Sequence, residues 1–67
     1  MSVVKVIELV GESRRDWQDA VGNAVAEASR TIDRISGVEV SNWTANVDNG
    51  RITEYKANVK VAFEVER

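Results

Sequence analysis

The chain lacks cysteine, histidine and proline throughout its 67 residues. Without cysteine it can form no disulfide, and without cysteine and histidine the common zinc, haem and iron–sulfur ligand sets are excluded. A chain of this length buries only about 60% of its unfolded surface, so its stability is marginal unless something adds to it. Since disulfides and these metals are excluded, we expect the chain to gain stability by binding copies of itself.

The same absences limit the classes of function. The formal net charge of −2 gives no reason to expect the basic face that nucleic acid requires. No segment approaches the roughly 20 apolar residues of a membrane span, and the first residues lack the pattern of a signal peptide. We therefore expect a cytoplasmic protein with neither a nucleic-acid nor a membrane partner. Because no imidazole is present to activate a serine, we also expect no enzymatic activity.

Hydrophobic periodicity predicts one domain over residues 1–67 with the element order β-α-β-β. Ser13 is the predicted N-cap of the helix, and Gly37 is the residue expected to terminate it. The turn "DNG" is a strong hairpin signal between the last two strands. The apolar parity changes partway along the second strand, which implies a bulge, a bend or a change of partner. The four predicted elements are Val3–Val10, Arg14–Ile35, Val38–Val47 and Arg51–Glu66.

The order of the elements predicts how the sheet is arranged. A right-handed crossover makes the first and second strands parallel to each other. The third strand, which forms a hairpin with the second, then fits between them. We therefore expect an α+β fold in which a three-stranded antiparallel sheet of order 1-3-2 curls around one helix. The third strand would extend about 50 Å and the helix about 33 Å. Either the strand curls around the helix or its ends pair with other chains.

Four positions are candidates for contact between copies of the chain. Trp17 lies on the apolar stripe of the helix, and Trp43 lies among polar neighbours on the second strand, where an interface anchor is favoured over a ligand platform. Gly22 costs about 1 kcal/mol relative to alanine inside a helix. It indicates either simple tolerance or the close approach of another backbone. Tyr55, the first residue of the alternating apolar series in the third strand, completes the set.

The whole chain resembles the dodecin family. The resemblance rests on "VVKVIELVGES", the alanine-rich helix, "VEV" and "EYKANVKVAFEVE". The spacings S-x-x-x-W and Y-x-x-x-V-x-V-x-F are its most specific parts. The resemblance implies a hollow homododecamer that binds and stores flavins, riboflavin or FMN, at subunit contacts without catalysing a reaction. One branch of the family is described as binding calcium.

The resemblance also places a flavin site at Gly37, Val38 and Lys56. Flavin-binding members carry an aromatic residue, usually tryptophan, at the position of Gly37, and it stacks on the flavin ring. They carry a glutamine at the position of Lys56, and it hydrogen-bonds the ring edge. In this chain the stacking ring is missing and the neutral amide is replaced by a cation. Trp43 lies about 20 Å along the strand from Gly37, so it could act only from a neighbouring subunit.

A second interpretation is a flavin-free dodecin, closer to the calcium branch, that binds cations or serves as a structural particle. Calcium prefers clustered carboxylate and carbonyl oxygens. The candidate ligands for such an ion are Glu39, Asp48, Asn49 and Glu54. The alternative for these four is that they are ordinary turn and surface residues.

Overall fold

The computed structural model describes residues 3–65, which follow the predicted order β-α-β-β. Strand β3 lies between the other two strands and is antiparallel to both, which gives the sheet order β1-β3-β2. The predicted α+β class and strand order are therefore confirmed. Residue 66, included in the predicted last strand, lies outside the described residues. The elements are β1 (Val3–Ser13), α1 (Trp17–Ser29), β2 (Ile35–Asp48) and β3 (Arg51–Val65).

The core lies between α1 and the centre of β3. Small residues at four-residue spacing on the helix meet alternate residues of the strand, as the periods of the two structures require. Among the described residues, the largest side chains that are fully buried are those of Val59 and Val61. The helix approaches β1 at Gly11, where a Cβ atom would lie 2.0 Å from the carbonyl oxygen of Ala20. The buried apolar residues are Ala20, Ala24, Ala28, Ala57, Val59 and Val61.

The helix begins three residues later than the sequence predicts. Ser13, the predicted N-cap, is the last residue of β1, and its hydroxyl accepts hydrogen bonds from the backbone N–H groups of Arg15 and Asp16. Asp16 is the actual N-cap, because its carboxylate accepts a bond of 2.7 Å from the N–H of Asp19. The prediction was wrong because Ser13 stabilises the turn before the helix rather than the helix end itself.

The helix also ends earlier, at Ser29 instead of Ile35. Ile32 and Ile35 continue the helical apolar spacing, but Ile32 packs on the core from the connecting loop and Ile35 begins β2. Arg34, with a φ of 63°, adopts the left-handed conformation in this connection. The chain must leave the helix here because Ile35 pairs with Phe63 of β3.

Gly37 does not terminate the helix. It lies inside β2 opposite Ala62, just after a register shift that begins at Ile35. A second shift, between Val40 and Asn42, is a β-bulge, one of the three explanations that the change of apolar parity allowed. The predicted hairpin turn is also confirmed, because Asn49 and Gly50 both have positive φ.

The fold is elongated, with principal extents of 52 × 20 × 13 Å. The thirteen residues of α1 span about 20 Å, much less than the fifteen residues of β3. The last pair between β1 and β3 joins Ser13 to Tyr55. Residues 46–54, here called the hairpin arm, therefore extend beyond both β1 and the start of the helix. Within residues 3–65, no helix has the length and apolar composition needed to cross a membrane.

Candidate ligand and assembly surfaces

The sheet presents one face to α1 and one face away from it. Because side chains alternate along a strand, the burial of Ala57, Val59 and Val61 under the helix places the residues between them on the opposite side. We call this side the outer face. It carries Lys56, Asn58, Lys60 and Ala62 along the centre of the sheet, flanked by their partners on β1 and β2.

The outer face consists of rows of polar side chains across the three strands. In one row, the ammonium of Lys56 lies 3.6 Å from the carboxylate of Glu12. In the next row, the side-chain amide of Asn58 donates to the side-chain oxygen of Asn42. Lys60 follows, between the glutamates that the register places on both sides of it. Both lysines therefore have carboxylate neighbours within their own chain.

A shallow depression of about 430 Å³ lies at the middle of this face. It forms where the register shift after Val40 makes two consecutive β2 residues, Ser41 and Asn42, oppose the same stretch of β3. Both residues line the depression together with Glu8, Val10 and Asn58. The depression thus offers amides, a hydroxyl and a carboxylate to a polar molecule.

The three positions predicted to form a flavin site do not form one pocket within a chain. Gly37 pairs with Ala62 and Lys56 lies six residues earlier on β3, so the two positions are about 20 Å apart. Val38 pairs with Val61 and so points to the helix side of the sheet, away from both. One ligand could contact Gly37 and Lys56 together only if a second copy supplied one of them.

One of the four candidate calcium ligands, Glu39, lies far from the other three, which are all in the hairpin arm. Glu39 lies opposite Lys60, whereas Asp48 lies nine residues further along β2, about 30 Å away. Glu54 accepts a hydrogen bond from Asn46. Across residues 3–65, no group of three or more acidic side chains is arranged to hold a metal ion. A calcium site would therefore require oxygen ligands from more than one copy.

The structure brings together three of the four predicted interface residues. The ring of Trp17 lies 6.4 Å from that of Trp43 and 4.8 Å from that of Tyr55, edge to face in both cases. The indole N–H of Trp17 donates a bond of 2.8 Å to the backbone oxygen of Thr44. Trp17 and Trp43 line a cleft of about 270 Å³, here called the tryptophan cleft. Sequence reasoning proposed each residue separately but did not predict their contact.

Gly22, the fourth predicted interface residue, lies apart from this cluster. In the described part of the chain, no atom outside its chain neighbours and the adjoining helix backbone lies within 4 Å of the position that a Cβ would take. Its surroundings on the helix surface are charged or polar, and include Arg15, Gln18 and Asp19. The close backbone approach within the chain occurs instead at Gly11.

The architecture defines a class: a small α+β chain with one short helix on a three-stranded antiparallel sheet that ends in a long hairpin. The chain belongs to the dodecin family, because the Dodecin family model matches residues 3–66. Over 66 residues it is 36% identical to a Mycobacterium tuberculosis protein named calcium dodecin, which covers 97% of this chain and 92% of the relative. It is 30% identical over 64 residues to the dodecin of Thermus thermophilus, covering 96% and 93% of the two chains.

Solved structures agree with the family assignment. The dodecin of Streptomyces coelicolor superposes with a TM-score of 0.94 at 29% identity, covering 98% of this chain and 94% of the other. The calcium dodecin of Mycobacterium tuberculosis superposes with a TM-score of 0.83 at 33% identity, covering 97% and 93%. That structure is described as containing a novel calcium-binding site. The resemblance found in the sequence is therefore confirmed for the family and the fold.

Proposed function

We propose that this chain is a non-catalytic, small-ligand-binding subunit that assembles with copies of itself into a hollow homododecamer in the cytoplasm. The observation that supports assembly best is the imbalance between a small core and a large exposed apolar surface. Within residues 3–65, eight hydrophobic side chains of valine size or larger are exposed, whereas the core consists of four alanines and two valines. The exposed residues are Val3, Val4, Val6, Val10, Val38, Trp43, Val47 and Ile52.

Covering these side chains would add substantially to stability. Full burial of one valine or isoleucine contributes about 1.5–3 kcal/mol, so partial burial of several is of the same order as the roughly 3–5 kcal/mol that the core of so short a chain supplies. The exposed valines are also clustered. Val4, Val6 and Val10 all lie on the outer face of β1, and Ala62 is next to Val6 on β3. A second copy is an occupant that can cover such surfaces permanently.

Flavin is the first proposed ligand, bound between copies. The separation of Gly37 and Lys56 in one chain agrees with a site that two subunits share. The outer face would supply polar groups to the ring edge, with Lys56 already held beside Glu12. Without an aromatic ring at residue 37, the site would lose about 1–3 kcal/mol of stacking, judged from the stacking of bases on aromatic side chains. We therefore expect weak flavin binding.

The first experiment measures assembly and bound chromophore together. Size-exclusion chromatography, with absorbance followed at protein and flavin wavelengths, should show one large species. Titration of riboflavin should then show weak quenching of its fluorescence. A compact species of about 7 kDa at working concentration would contradict the assembly. Unquenched riboflavin at micromolar concentration would contradict flavin as the ligand.

A substitution at Gly37 tests where the flavin binds. The Gly37→Trp change is compatible with the chain itself, because in the described residues nothing lies within 4 Å of the new Cβ and the φ of Gly37 is not positive. It should tighten riboflavin binding by roughly 5- to 150-fold, the equivalent of 1–3 kcal/mol. Gly37→Leu is the matched control, since it adds apolar bulk without an aromatic face. Equal affinities for both variants would remove Gly37 from the site.

The second proposed ligand is calcium, which the name of the Mycobacterium tuberculosis relative favours. An acidic chain assembled in many copies would attract cations, and carboxylates such as Glu39 and Glu54 could meet those of a neighbouring copy. A ligand that binds only the folded state raises its stability, by about 2.7 kcal/mol at 100 times the dissociation constant. The melting temperature in calcium should then exceed that in chelator. Equal melting temperatures would exclude calcium.

A further inference from the structure

Two exposed apolar surfaces of this chain lie too far apart to meet within one molecule. We propose that the tip of the hairpin arm of one copy, Val47 with Ile52, inserts into the tryptophan cleft of the next copy. Each copy then donates one tip and receives another. This inference rests on the proposed self-assembly and deepens it by naming the two surfaces in contact.

The tryptophan cleft is held in place before anything binds to it. The hydrogen bond to Thr44 and the edge-to-face contact with Tyr55 fix the indole of Trp17. Trp43 stands at 85° to it and is 52% exposed. Beside the two rings lies a space of about 270 Å³ that is widely open to solvent, so an apolar side chain of another molecule can pack against the exposed ring faces.

The tip offers an apolar surface of matching character. Val47 and Ile52 are direct cross-strand partners, so their side chains lie on the same face of the hairpin arm and form one projection. They are 64% and 47% exposed. The tight turn through Asn49 and Gly50, both at positive φ, fixes the end of the arm. Since the arm extends past the last β1 partner, the projection is accessible to another molecule.

The geometry requires two different copies. Val47 lies four residues from Trp43 on the same strand, about 14 Å away, so the tip cannot reach its own cleft. The contact is therefore head-to-tail. Repetition of such a contact closes into a ring when the rotation permits, and the finite assembly proposed above requires closure. Neither surface has neighbours of one charge sign only, since Asp48 and Arg51 flank the turn at the tip and Arg15 and Asp16 directly precede Trp17 in the sequence.

A protein side chain suits this cleft better than a small ligand does. Ligand sites combine an apolar surface with a few polar groups that orient the molecule. Here the cleft is lined by Trp17 and Trp43, and the N–H of Trp17 already donates to Thr44. An apolar tip needs no orienting group inside the cleft, because the backbone of the hairpin arm orients it.

Tryptophan fluorescence tests the contact, since the chain has two tryptophans and both line the cleft. The variant Val47→Thr/Ile52→Thr keeps β-branched residues in the strands and so preserves the fold. We expect its assemblies to be weaker, so that on dilution they dissociate at a protein concentration at which the parent's assemblies are still intact. Its tryptophan emission should be shifted to the red even in the assembled fraction isolated by size exclusion. Within one chain the tip is too distant from Trp43 to produce that shift directly.

Val10→Thr is the matched control, because Val10 is 58% exposed but lies on the outer face of β1, away from the cleft. Its assembled fraction should emit as the parent does. An assembled tip variant with parental emission would overturn the proposal. If ultracentrifugation showed the parent chain to be a monomer, the proposed assembly itself would be contradicted. That result is distinguishable from a failure of the tip contact alone.

Discussion

Gly11 is the position where a single methyl group should do most damage to the fold. A Cβ there would lie 2.0 Å from the carbonyl oxygen of Ala20, 2.9 Å from its carbonyl carbon and 3.0 Å from the Cβ of Ala24. Favourable contacts between such atoms lie at about 3.5–4.0 Å. In Gly11→Ala the helix would therefore have to move away from β1 by more than about 1 Å. The displaced atoms belong to the helix backbone, which cannot rotate aside as a side chain can.

Overpacking a well-packed core typically costs about 1–3 kcal/mol. We expect a loss near the upper end, about 3 kcal/mol, because moving α1 also separates Ala20 and Ala24 from Val59. With a denaturant dependence of about 1–3 kcal/mol per molar urea, the unfolding midpoint should fall by roughly 1–3 M. Circular dichroism follows the transition. The protein concentration must be the same for all variants, since assembly makes the midpoint concentration-dependent.

Gly37→Ala is the control for this prediction. It adds the same methyl group at a strand position where, among the described residues, nothing lies within 4 Å of the new atom. Because glycine inside a strand costs roughly 0.5–1 kcal/mol relative to alanine, this variant should equal or exceed the parent in stability. A Gly11→Ala variant within about 0.5 kcal/mol of the parent would refute the close contact between helix and strand.

Three further substitutions test the helix and its start. Asp16→Ala removes the N-cap and should cost about 1 kcal/mol in urea unfolding, whereas Asp16→Asn should cost little; equal losses would show that the cap hydrogen bond is unimportant. Ser13→Ala removes a buried hydroxyl that donates to Asp19 and accepts two backbone bonds, so a loss of about 1–3 kcal/mol is expected, and a neutral result would contradict this role. Gly22→Ala should raise the thermal midpoint through a gain of about 1 kcal/mol in helix propensity, since its surroundings are polar and open. Dissociation of this variant would instead indicate that another copy approaches Gly22.

The strands could be predicted because their signals are local. The alternation from Tyr55 to Val65 places every second side chain on the helix side of the sheet, where Ala57, Val59 and Val61 are buried. The residues Asp48 to Gly50 specify a two-residue turn without reference to the rest of the chain. Together with the handedness of crossovers, these two signals were sufficient for the sheet order.

The end of the helix could not be predicted from the same kind of pattern. Ile32 and Ile35 fall at helical spacing after Ala28, so periodicity extends the helix through them. Both are partly buried, but one packs from a loop and the other from a strand. The spacing of apolar residues indicates which residues are buried, but it does not indicate whether a residue belongs to a helix, a loop or a strand. The deciding factor was the pairing of Ile35 with Phe63, a contact between distant parts of the chain.

The tryptophan cleft depends on one extra residue in the hairpin arm. Counting back from the pair of Asp48 with Arg51, a regular hairpin would place Trp43 opposite Lys56, on the outer face. Thr53 has no partner in the register, and this shift moves Trp43 opposite Ala57, on the helix side. A one-residue change of register exchanges the two faces of a strand. The bulge is therefore what brings Trp43 into contact with Trp17. No residue pattern around Thr53 predicts a bulge. Trp17 and Trp43 could therefore be proposed individually as interface residues, but their contact with each other could not be predicted.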